Sequence, residues 1–555
     1  MRWTACLALL IVLSGFAGIA ASGAAAGIVT VMFDFGDGNV LWADVPADVP
    51  TATQATAWSA TVAAAQAWGL NVSYSLYEGQ VFVLDIGRSG AQYPDWWHLL
   101  VWEAGAWTPA PFGVSQLDVS AWDVIGWYLA RDDASYNFAP PVASPDDRLP
   151  VTTFRYDARG RGVSRSAGPG APRIAWSYDT GAFEISATPA VARGTVFLPT
   201  WTGLVAVSEA DGHLRWRNPA VAGASSPTLY GDFLYVGGRD GRLHAVWTSN
   251  GTEAWNVTLQ PDPVFSGITA SPRIAHGKIY VGTFNESGGD GRFAAIDVYT
   301  HAIVWSAPVS SIHYSSAAIA NGTAIVGLMG HLDSETLTYT APYGVAAFNA
   351  ETGESRWFVA TNGSVASSPA VSDGFVYVTT KAGELFALTL EGAVRWTRPI
   401  GPSTSSPAVF EDTVVVGDGV LGTAGGLRAF RADGEPLWNR PLTGPVSASP
   451  TVDGFRAYAA TNEAEGRVVA VDLATGEIAW SLVLDPHEYL FSSPVVVDGA
   501  LLIASDNGRV YSVQPLAVDG ARGFLGSWEP VALTGVSVAA VAIAWLLIRR
   551  ARRAR

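Results

Sequence analysis

The stretch "SSPAVSDGFVYVTTKAGELFALTLEGAVRW", residues 367–396, holds four short apolar runs separated by turn residues. The runs are "PAV", "FVYVTT", "LFALT" and "AVRW", and the pairs Asp373-Gly374, Ala382-Gly383 and Glu391-Gly392 lie between them. Gly and Asp at these places favour tight turns. The stretch therefore predicts four short antiparallel strands within about 40 residues.

The same unit recurs along the chain. A second clear copy is "SASPTVDGFRAYAATNEAEGRVVAVDLATGEIAW", residues 447–480. The fourth run of each unit contains a Trp, and a Gly usually stands four positions before it, although His301 takes this place before Trp305. We expect these tryptophans to fill the gaps between neighbouring units. They are Trp176, Trp216, Trp255, Trp305, Trp357, Trp396, Trp438 and Trp480.

Four strands repeated at this period are typical of a β-propeller, because a lone four-stranded blade cannot bury both of its faces. The polar starts of the inner strands number eight: Thr188, Ser226, Ser271, Ser316, Ser368, Ser406, Ser449 and Ser493. The last unit lacks its Trp strand, and Trp176 stands ahead of the first full unit. We therefore predict eight blades, with the strand around Trp176 completing the last blade.

The polar starts have two interpretations. The inner strands of a propeller line its axial channel, so the seven Ser residues would form a polar ring there. Alternatively, the hydroxyls cap strand ends and hydrogen-bond the turns between blades.

The repeats resemble those of pyrroloquinoline-quinone (PQQ) type propellers, whose pattern "AxDxxTGxxxW" is matched by "AVDLATGEIAW", residues 470–480. The lead-in "FRYDARGRGVSRSAGPGAPRIAWSY" is similar to the segment before the first blade in that family. This resemblance covers residues 152–516. It implies either a quinone-dependent alcohol or sugar dehydrogenase, or a non-catalytic relative of the outer-membrane assembly lipoprotein, whose propeller binds protein partners.

The resemblance implies that an enzyme of this family holds PQQ against a disulfide between adjacent cysteines, with calcium bound by Glu, Asn and Asp. The only cysteine here is Cys6, and no haem motif Cys-x-x-Cys-His occurs. We also find no metal motif, no phosphate loop and no Gly-x-Ser-x-Gly. The sequence therefore favours a non-catalytic protein without a cofactor, with PQQ and calcium only under the enzymatic alternative.

The connections that lead from one blade to the next are expected at one mouth of the channel. Exposed loops on a rigid scaffold often carry function. The candidate binding residues in these connections are Phe265, His313, Tyr314, His487, Glu488 and Tyr489, with Asp262 beside Phe265.

Residues 27–133 lack the repeat and predict a small α+β domain. The segment "DWWHLLVWEAGAWTPAPFGVSQLDVSAWDVIGWYLA" resembles the domain at the C-terminus of intrinsic factor and transcobalamin. In those carriers the domain touches one face of the corrin, which makes a small-ligand binder a further alternative. The candidate aromatic surface is Trp96, Trp97, Trp102 and Trp107, and its alternative is packing in a β-rich core.

The two ends of the chain predict export and anchoring. Residues 1–26 resemble a signal peptide. Residues 134–151 read as a linker, 517–529 as a juxtamembrane segment, 530–548 as an uncharged transmembrane helix and 549–555 as an Arg-rich cytoplasmic tail. Five sequons are possible glycosylation sites on the exported part: Asn71, Asn256, Asn285, Asn321 and Asn362.

The charge argues against one class of partner. The net charge of -16 argues against nucleic-acid binding, which requires a basic face. We therefore expect a mainly β protein in the cell membrane, with an eight-bladed propeller, a small N-terminal α+β domain and one C-terminal transmembrane helix. Its propeller is expected to act as a scaffold for a protein or an envelope polymer.

Overall fold

The computed structural model describes residues 28–516 with gaps. The gaps are residues 36–39, 47–55, 68–69, 78–79, 88–94, 104–105, 120–123, 132–151, 165, 184, 262–266, 276, 286–289, 337, 485 and 487. The predicted signal peptide and linker lie outside the described residues, as do the predicted juxtamembrane segment, membrane span and tail.

The N-terminal module is a five-stranded mixed sheet with a helix against one face. The strand order is β2-β1-β7-β5-β6, in which β1 and β7 are parallel. Small apolar residues at helical spacing, Ala57, Ala60 and Ala64, bury the helix against the sheet. A separate hairpin is formed by β3 and β4. The elements are β1 (Ile28–Asp34), β2 (Val40–Pro46), α1 (Ala57–Ala67), β3 (Val72–Tyr77), β4 (Gln80–Ile86), β5 (Asp95–Glu103), β6 (Ala106–Pro109) and β7 (Val124–Arg131).

Eight four-stranded sheets follow, and each is one blade. The strand β8 (Pro172–Asp179) precedes the first of them. Blade 1 consists of β9 (Ala190–Ala192), β10 (Thr195–Thr200), β11 (Gly203–Ser208) and β12 (Leu214–Asn218). Blade 2 consists of β13 (Thr228–Tyr230), β14 (Phe233–Gly237), β15 (Arg242–Trp247) and β16 (Glu253–Thr258). Blade 3 consists of β17 (Arg273–Ala275), β18 (Lys278–Gly282), β19 (Gly291–Asp297) and β20 (Ile303–Val309).

Blade 4 carries an inserted hairpin, β23 (His331–Asp333) and β24 (Thr338–Thr340), which lengthens the interval between its tryptophan and the preceding one. Its own strands are β21 (Ala318–Ala320), β22 (Thr323–Leu328), β25 (Gly344–Asn349) and β26 (Ser355–Ala360). Blade 5 consists of β27 (Ala370–Ser372), β28 (Phe375–Thr379), β29 (Glu384–Thr389) and β30 (Val394–Pro399). Blade 6 consists of β31 (Ala408–Phe410), β32 (Thr413–Asp418), β33 (Gly425–Arg431) and β34 (Pro436–Leu442).

Blade 7 consists of β35 (Thr451–Val452), β36 (Arg456–Ala460), β37 (Arg467–Asp472) and β38 (Ile478–Val483). Blade 8 consists of β39 (Val495–Val497), β40 (Ala500–Ala504), β41 (Arg509–Pro515) and, as its outermost strand, β8 from the start of the propeller. The Thr180 amide donates to the Gly508 carbonyl at 2.9 Å. The two ends of the propeller chain therefore share one sheet, and the propeller prediction is confirmed.

Tryptophan side chains join neighbouring blades. The Trp216 Nε1 donates to the Thr248 carbonyl of the next blade at 2.8 Å. Equivalent bonds are made by Trp176, Trp305, Trp357, Trp396, Trp438 and Trp480. Each of these rings therefore packs between blades and also satisfies a carbonyl, which lies in a turn of the next blade or, for Trp480, just before β8.

The glycine that stands before six of the tryptophans is explained by the tryptophan of the preceding blade. Gly392 has φ +87°, and a Cβ on it would lie 2.7 Å from the Trp357 ring. His301 adopts the same left-handed region, φ 62°, without a glycine. Its ring stacks on Trp255 at 4.2 Å between centroids, and within the described residues the Trp255 Nε1 has no acceptor.

The N-terminal module contacts the propeller at the turn between the first two strands of blade 2. The hydroxyl of Tyr128, on β7, lies 3.0 Å from that of Tyr230. Burial raises the pKa of both phenols well above the ordinary value, so neither ionises near neutral pH.

The described residues do not support the predicted transmembrane helix, and residues 530–548 themselves lie outside them. Across the part of the chain that the structure describes, no helix has both the length and the apolar character to span a bilayer. The one helix described is α1, of 11 residues, which is too short to cross a bilayer. The fold class is corrected to a mainly β propeller with a small α+β module.

Candidate binding site at the channel mouth

In the Ser-Ser-Pro starts of the inner strands, the two serine hydroxyls make different hydrogen bonds. The first serine accepts a backbone hydrogen bond from the second strand of its own blade, as in Gly417 N to Ser405 Oγ at 3.2 Å. The same bond joins Gly327 to Ser315 and Thr379 to Ser367. The first hydroxyl therefore fixes the entry of the inner strand against its neighbour.

The second hydroxyl of each start links consecutive blades. The Ser368 amide donates to the Ser406 Oγ at 2.9 Å, and the Ser406 amide donates to the Ser449 Oγ at 2.9 Å. The chain of bonds passes through all eight blades and closes where the Ser493 amide donates to Thr188 Oγ1 at 3.1 Å. We call this set the hydroxyl ring: Thr188, Ser226, Ser271, Ser316, Ser368, Ser406, Ser449 and Ser493.

The lead-in segment, residues 152–164, blocks the channel on one side of the hydroxyl ring. The inner strands are edge strands, so their backbone groups face the axis without a partner in the sheet. The carbonyls of the segment accept hydrogen bonds from these amides, as in Ile319 N to Ala158 O at 2.8 Å and Val371 N to Arg159 O at 2.9 Å. Further amides bound in this way belong to Leu229, Val409 and Val452. We call residues 152–164 the plug.

Two buried arginines hold the plug in place. Arg155 donates to the carbonyls of Pro450 and Pro407 at 2.6 and 2.7 Å. Arg273, on the inner strand of blade 3, donates to the carbonyls of Ala317, Phe154 and Asp157. Their side chains bind carbonyls of several blades at once, which ties the plug to the ring.

The plug and the inner strand of blade 3 together carry more positive than negative charge. Burial lowers the pKa of Arg155 to about 10 and that of Arg273 to about 10, so both are protonated at neutral pH. Burial also raises the pKa of Asp157, but Arg161, whose Nε lies 2.7 Å from Oδ2, outweighs this effect and leaves the pKa below the ordinary value. One carboxylate therefore faces three guanidinium groups.

A cavity of about 340 Å³ lies at the other mouth of the channel. Phe154 of the plug lines it, as do six members of the hydroxyl ring. Its rim carries exposed side chains from the turns between second and third strands and from the connections between blades: Tyr314, Lys381, Leu421 and Phe491, beside the half-buried Val420. We call this cavity the cup.

Of the predicted mouth residues, Tyr314 lines the cup and is 51% exposed. His313 instead stacks between Phe284 and Tyr314, and its Nδ1 lies 2.8 Å from the Tyr339 hydroxyl. Glu488 and Tyr489 are half-buried and do not line the cup. Asp262, Phe265 and His487 lie outside the described residues.

Sequence reasoning missed Lys381, Leu421, Asn462 and Phe491 as cup residues. The first three lie in turns between the second and third strands of their blades. In an antiparallel blade these turns share one end with the connections between blades. The turns between second and third strands could therefore have been included from the sequence as candidate mouth residues.

The four N-terminal tryptophans do not form one exposed surface. Trp97 and Trp107 are each 8% exposed and belong to separate core clusters. Trp102 is half-buried and packs edge-on against Trp107 at 5.2 Å between centroids, whereas Trp96 is 43% exposed. Alternation along β5 sends neighbouring side chains to opposite faces.

Among the sequons, Asn71, Asn256, Asn321 and Asn362 are exposed and Asn285 is half-buried.

The residues of the cup do not fit a quinone with calcium. The cup contains Asn462 but neither Asp nor Glu, so it supplies no carboxylate ligand for calcium and no carboxylate base. Serine, threonine and alanine form its wall, and the only cysteine of the chain is Cys6. Among the described residues, no group of three or more His, Cys, Asp or Glu is placed to hold a metal ion.

The eight blades, built on a repeat with a tryptophan in its outer strand, form a PQQ-like β-propeller. A family model described as "Outer membrane protein assembly factor BamB" matches residues 101–331, 155–398, 322–432 and 391–522. The chain therefore belongs to this family.

The relatives that match include assembly factors and an alcohol dehydrogenase. The outer membrane protein assembly factor BamB of Shewanella oneidensis is 28% identical over 30% of this chain, which spans less than half, 45%, of that relative. The Yersinia pestis protein of the same name is 25% identical over 61% of this chain and 88% of its own length. The quinohemoprotein alcohol dehydrogenase ADH IIB of Pseudomonas putida is 32% identical, over 24% of this chain and 21% of its own length.

A solved structure shares the fold. The quinohemoprotein alcohol dehydrogenase from Comamonas testosteroni superposes with a TM-score of 0.56 at 16% identity, over 67% of this chain and 81% of its own.

The predicted localisation, a single-pass protein of the cell membrane with a cytoplasmic C-terminus, is corrected. The described residues contain no helix able to span a membrane, and the BamB relatives are named for the outer membrane.

Proposed function

We propose that this protein is a non-catalytic scaffold that binds a protein partner at the cup. The observation that carries the proposal is the asymmetry of the channel, whose one side is filled by the plug while the other opens into the cup. A rigid ring with one open, shaped mouth suits binding rather than passage. The family and the printed names of the BamB relatives favour assembly of proteins over recognition of an envelope polymer.

The rim of the cup suits a protein partner. Leu421 is 60% exposed, Tyr314 is 51% exposed and Phe491 is 37% exposed, and all three line the cup. Large apolar and aromatic side chains that surround a pocket are the usual anchors of protein interfaces. Their positions in turns on a closed ring keep them preorganised, which lowers the entropic cost of binding.

Site-specific photo-crosslinking in cells tests this proposal. A photoreactive phenylalanine analogue at Leu421 should give one discrete crosslinked protein. The matched control is the same analogue at Phe455, which is apolar and 70% exposed but lies in a turn at the opposite end of blade 7. Equal crosslinking at both positions, or none at Leu421, would contradict the proposal.

A further inference from the structure

The hydroxyl ring has unused donors. Each of its oxygens accepts a hydrogen bond from a backbone amide of the preceding blade. Within the described residues, none of the eight hydroxyls donates its hydrogen to a protein acceptor. A hydroxyl that accepts one bond can still rotate its hydrogen toward a ligand. Six such groups line the cup: Thr188, Ser226, Ser271, Ser406, Ser449 and Ser493.

The charge that lines the cup is opposite in sign to the net charge of the protein. The chain has 49 acidic and 33 basic residues, yet no Asp or Glu lines the cup. Its one charged residue is Lys381, which is exposed at the rim. The chain has only one other lysine, Lys278, and that side chain is buried in an ion pair with Glu351 at 2.7 Å.

Arg155 of the plug and Arg273 of blade 3 add positive potential beneath the cup. Arg155 and Arg273 are 3% and 0% exposed, and their hydrogen bonds go to neutral carbonyl and hydroxyl groups. Within the described residues, Arg155 Nε and Arg273 Nη2 have no hydrogen-bond partner. The one carboxylate near them, Asp157, is paired with Arg161. Because water screens buried charges poorly, the remaining positive charge extends toward the cup floor at Phe154.

We propose that the cup binds a carboxylate of the protein partner, from an acidic side chain or a free C-terminus. The hydroxyl donors, Lys381 and the positive plug all favour a negatively charged oxygen ligand. A cationic group would find no carboxylate in the cup, and a purely apolar group would leave the donors unsatisfied. This inference rests on the proposed function, since it names the chemistry of the group that the cup receives.

Fluorescence anisotropy with labelled peptides tests the inference on the purified full chain. The probes are hexaglutamate with an amidated C-terminus, hexaglutamine with an amidated C-terminus, and hexaglutamine with a free C-terminus. The net charge of -16 repels acidic peptides from most of the surface. Binding of hexaglutamate, but not of amidated hexaglutamine, is therefore expected to come from the cup. Binding of the third peptide would identify a terminal carboxylate as the ligand.

Matched charge reversals locate the site. Lys381→Glu should weaken hexaglutamate binding about tenfold or more, because it places a carboxylate at the rim. Arg395→Glu changes the net charge equally on the exposed outer strand of the same blade, and should weaken binding about twofold at most. Equal effects of the two variants, or equal binding of amidated hexaglutamine, would overturn the inference. Persistence of the Leu421 crosslink in Lys381→Glu would then leave the proposed function standing.

Discussion

The indole Nε1 of Trp480 donates a hydrogen bond of 2.7 Å to the carbonyl of Pro169, across 311 positions of sequence. In the other blades, except blade 2, the equivalent acceptor comes from the turn between the third and fourth strands of the next blade. Blade 8 has no such turn, because its third and fourth strands come from opposite ends of the propeller. The start of the propeller chain therefore supplies both the missing strand, β8, and the missing acceptor, Pro169.

This bond predicts a difference between two tryptophans. Trp480→Phe leaves the buried Pro169 carbonyl without its donor and should lower the free energy of unfolding by about 1 kcal/mol more than Trp255→Phe. Trp255 is the matched control, since its Nε1 has no acceptor among the described residues. Chemical denaturation of both variants measures the difference. Equal losses would show that the Trp480 bond does not help to close the ring.

The glycines of the blade turns predict a second matched pair. Gly392 and Gly374 lie in the same blade with φ +87° and +81°, but an added Cβ meets the Trp357 ring at 2.7 Å only at Gly392. Gly374→Ala should cost about 1–2 kcal/mol for the left-handed backbone. Gly392→Ala should cost about 1–3 kcal/mol more, because the tryptophan must shift. Denaturant midpoints report both values, and indistinguishable losses would contradict the packing argument.

The hydroxyl ring predicts that removal of one hydroxyl destabilises the preceding blade, whose amide loses its acceptor. Ser406→Ala leaves the amide of Ser368, a buried residue, without its acceptor and should lower the free energy of unfolding by about 1–3 kcal/mol. Ser406→Thr should cost less than about 1 kcal/mol, because Thr188 fills the same position in blade 1. Hydrogen exchange at the Ser368 amide gives a local readout. Unchanged protection of that amide in the Ala variant would contradict the assigned bond.

The sequence period predicts the features that recur in every blade, but not the contacts that occur only once. Trp176 stands ahead of the first full unit, and its strand is the one that completes blade 8. The departure at His301 was visible in the sequence, but its stack on Trp255 was not, because Trp255 belongs to the preceding blade. The path of the plug was hidden for a stronger reason. Residues 152–164 bind through backbone carbonyls to distant inner strands, and such bonds leave no side-chain pattern.

The plug predicts a pH dependence that follows from Asp157. Its pKa is lower in the folded protein than in the unfolded chain, so the unfolded chain binds more protons between the two values. The free energy of unfolding should therefore fall as the pH drops through that range. Asp157→Asn should be less stable than the parent by about 2 kcal/mol at pH 7, because the Arg161 guanidinium loses its carboxylate partner. The gap between variant and parent should narrow below about pH 4.

A matched variant separates the plug from surface charge. Asp412→Asn breaks an exposed pair with Arg431, in which both side chains are 53% exposed. It should cost less than about 1 kcal/mol at pH 7. Urea unfolding of the parent and both variants at several pH values gives the curves. A gap for Asp157→Asn that stays constant down to about pH 3 would mean that the buried carboxylate is not what holds the plug in the ring.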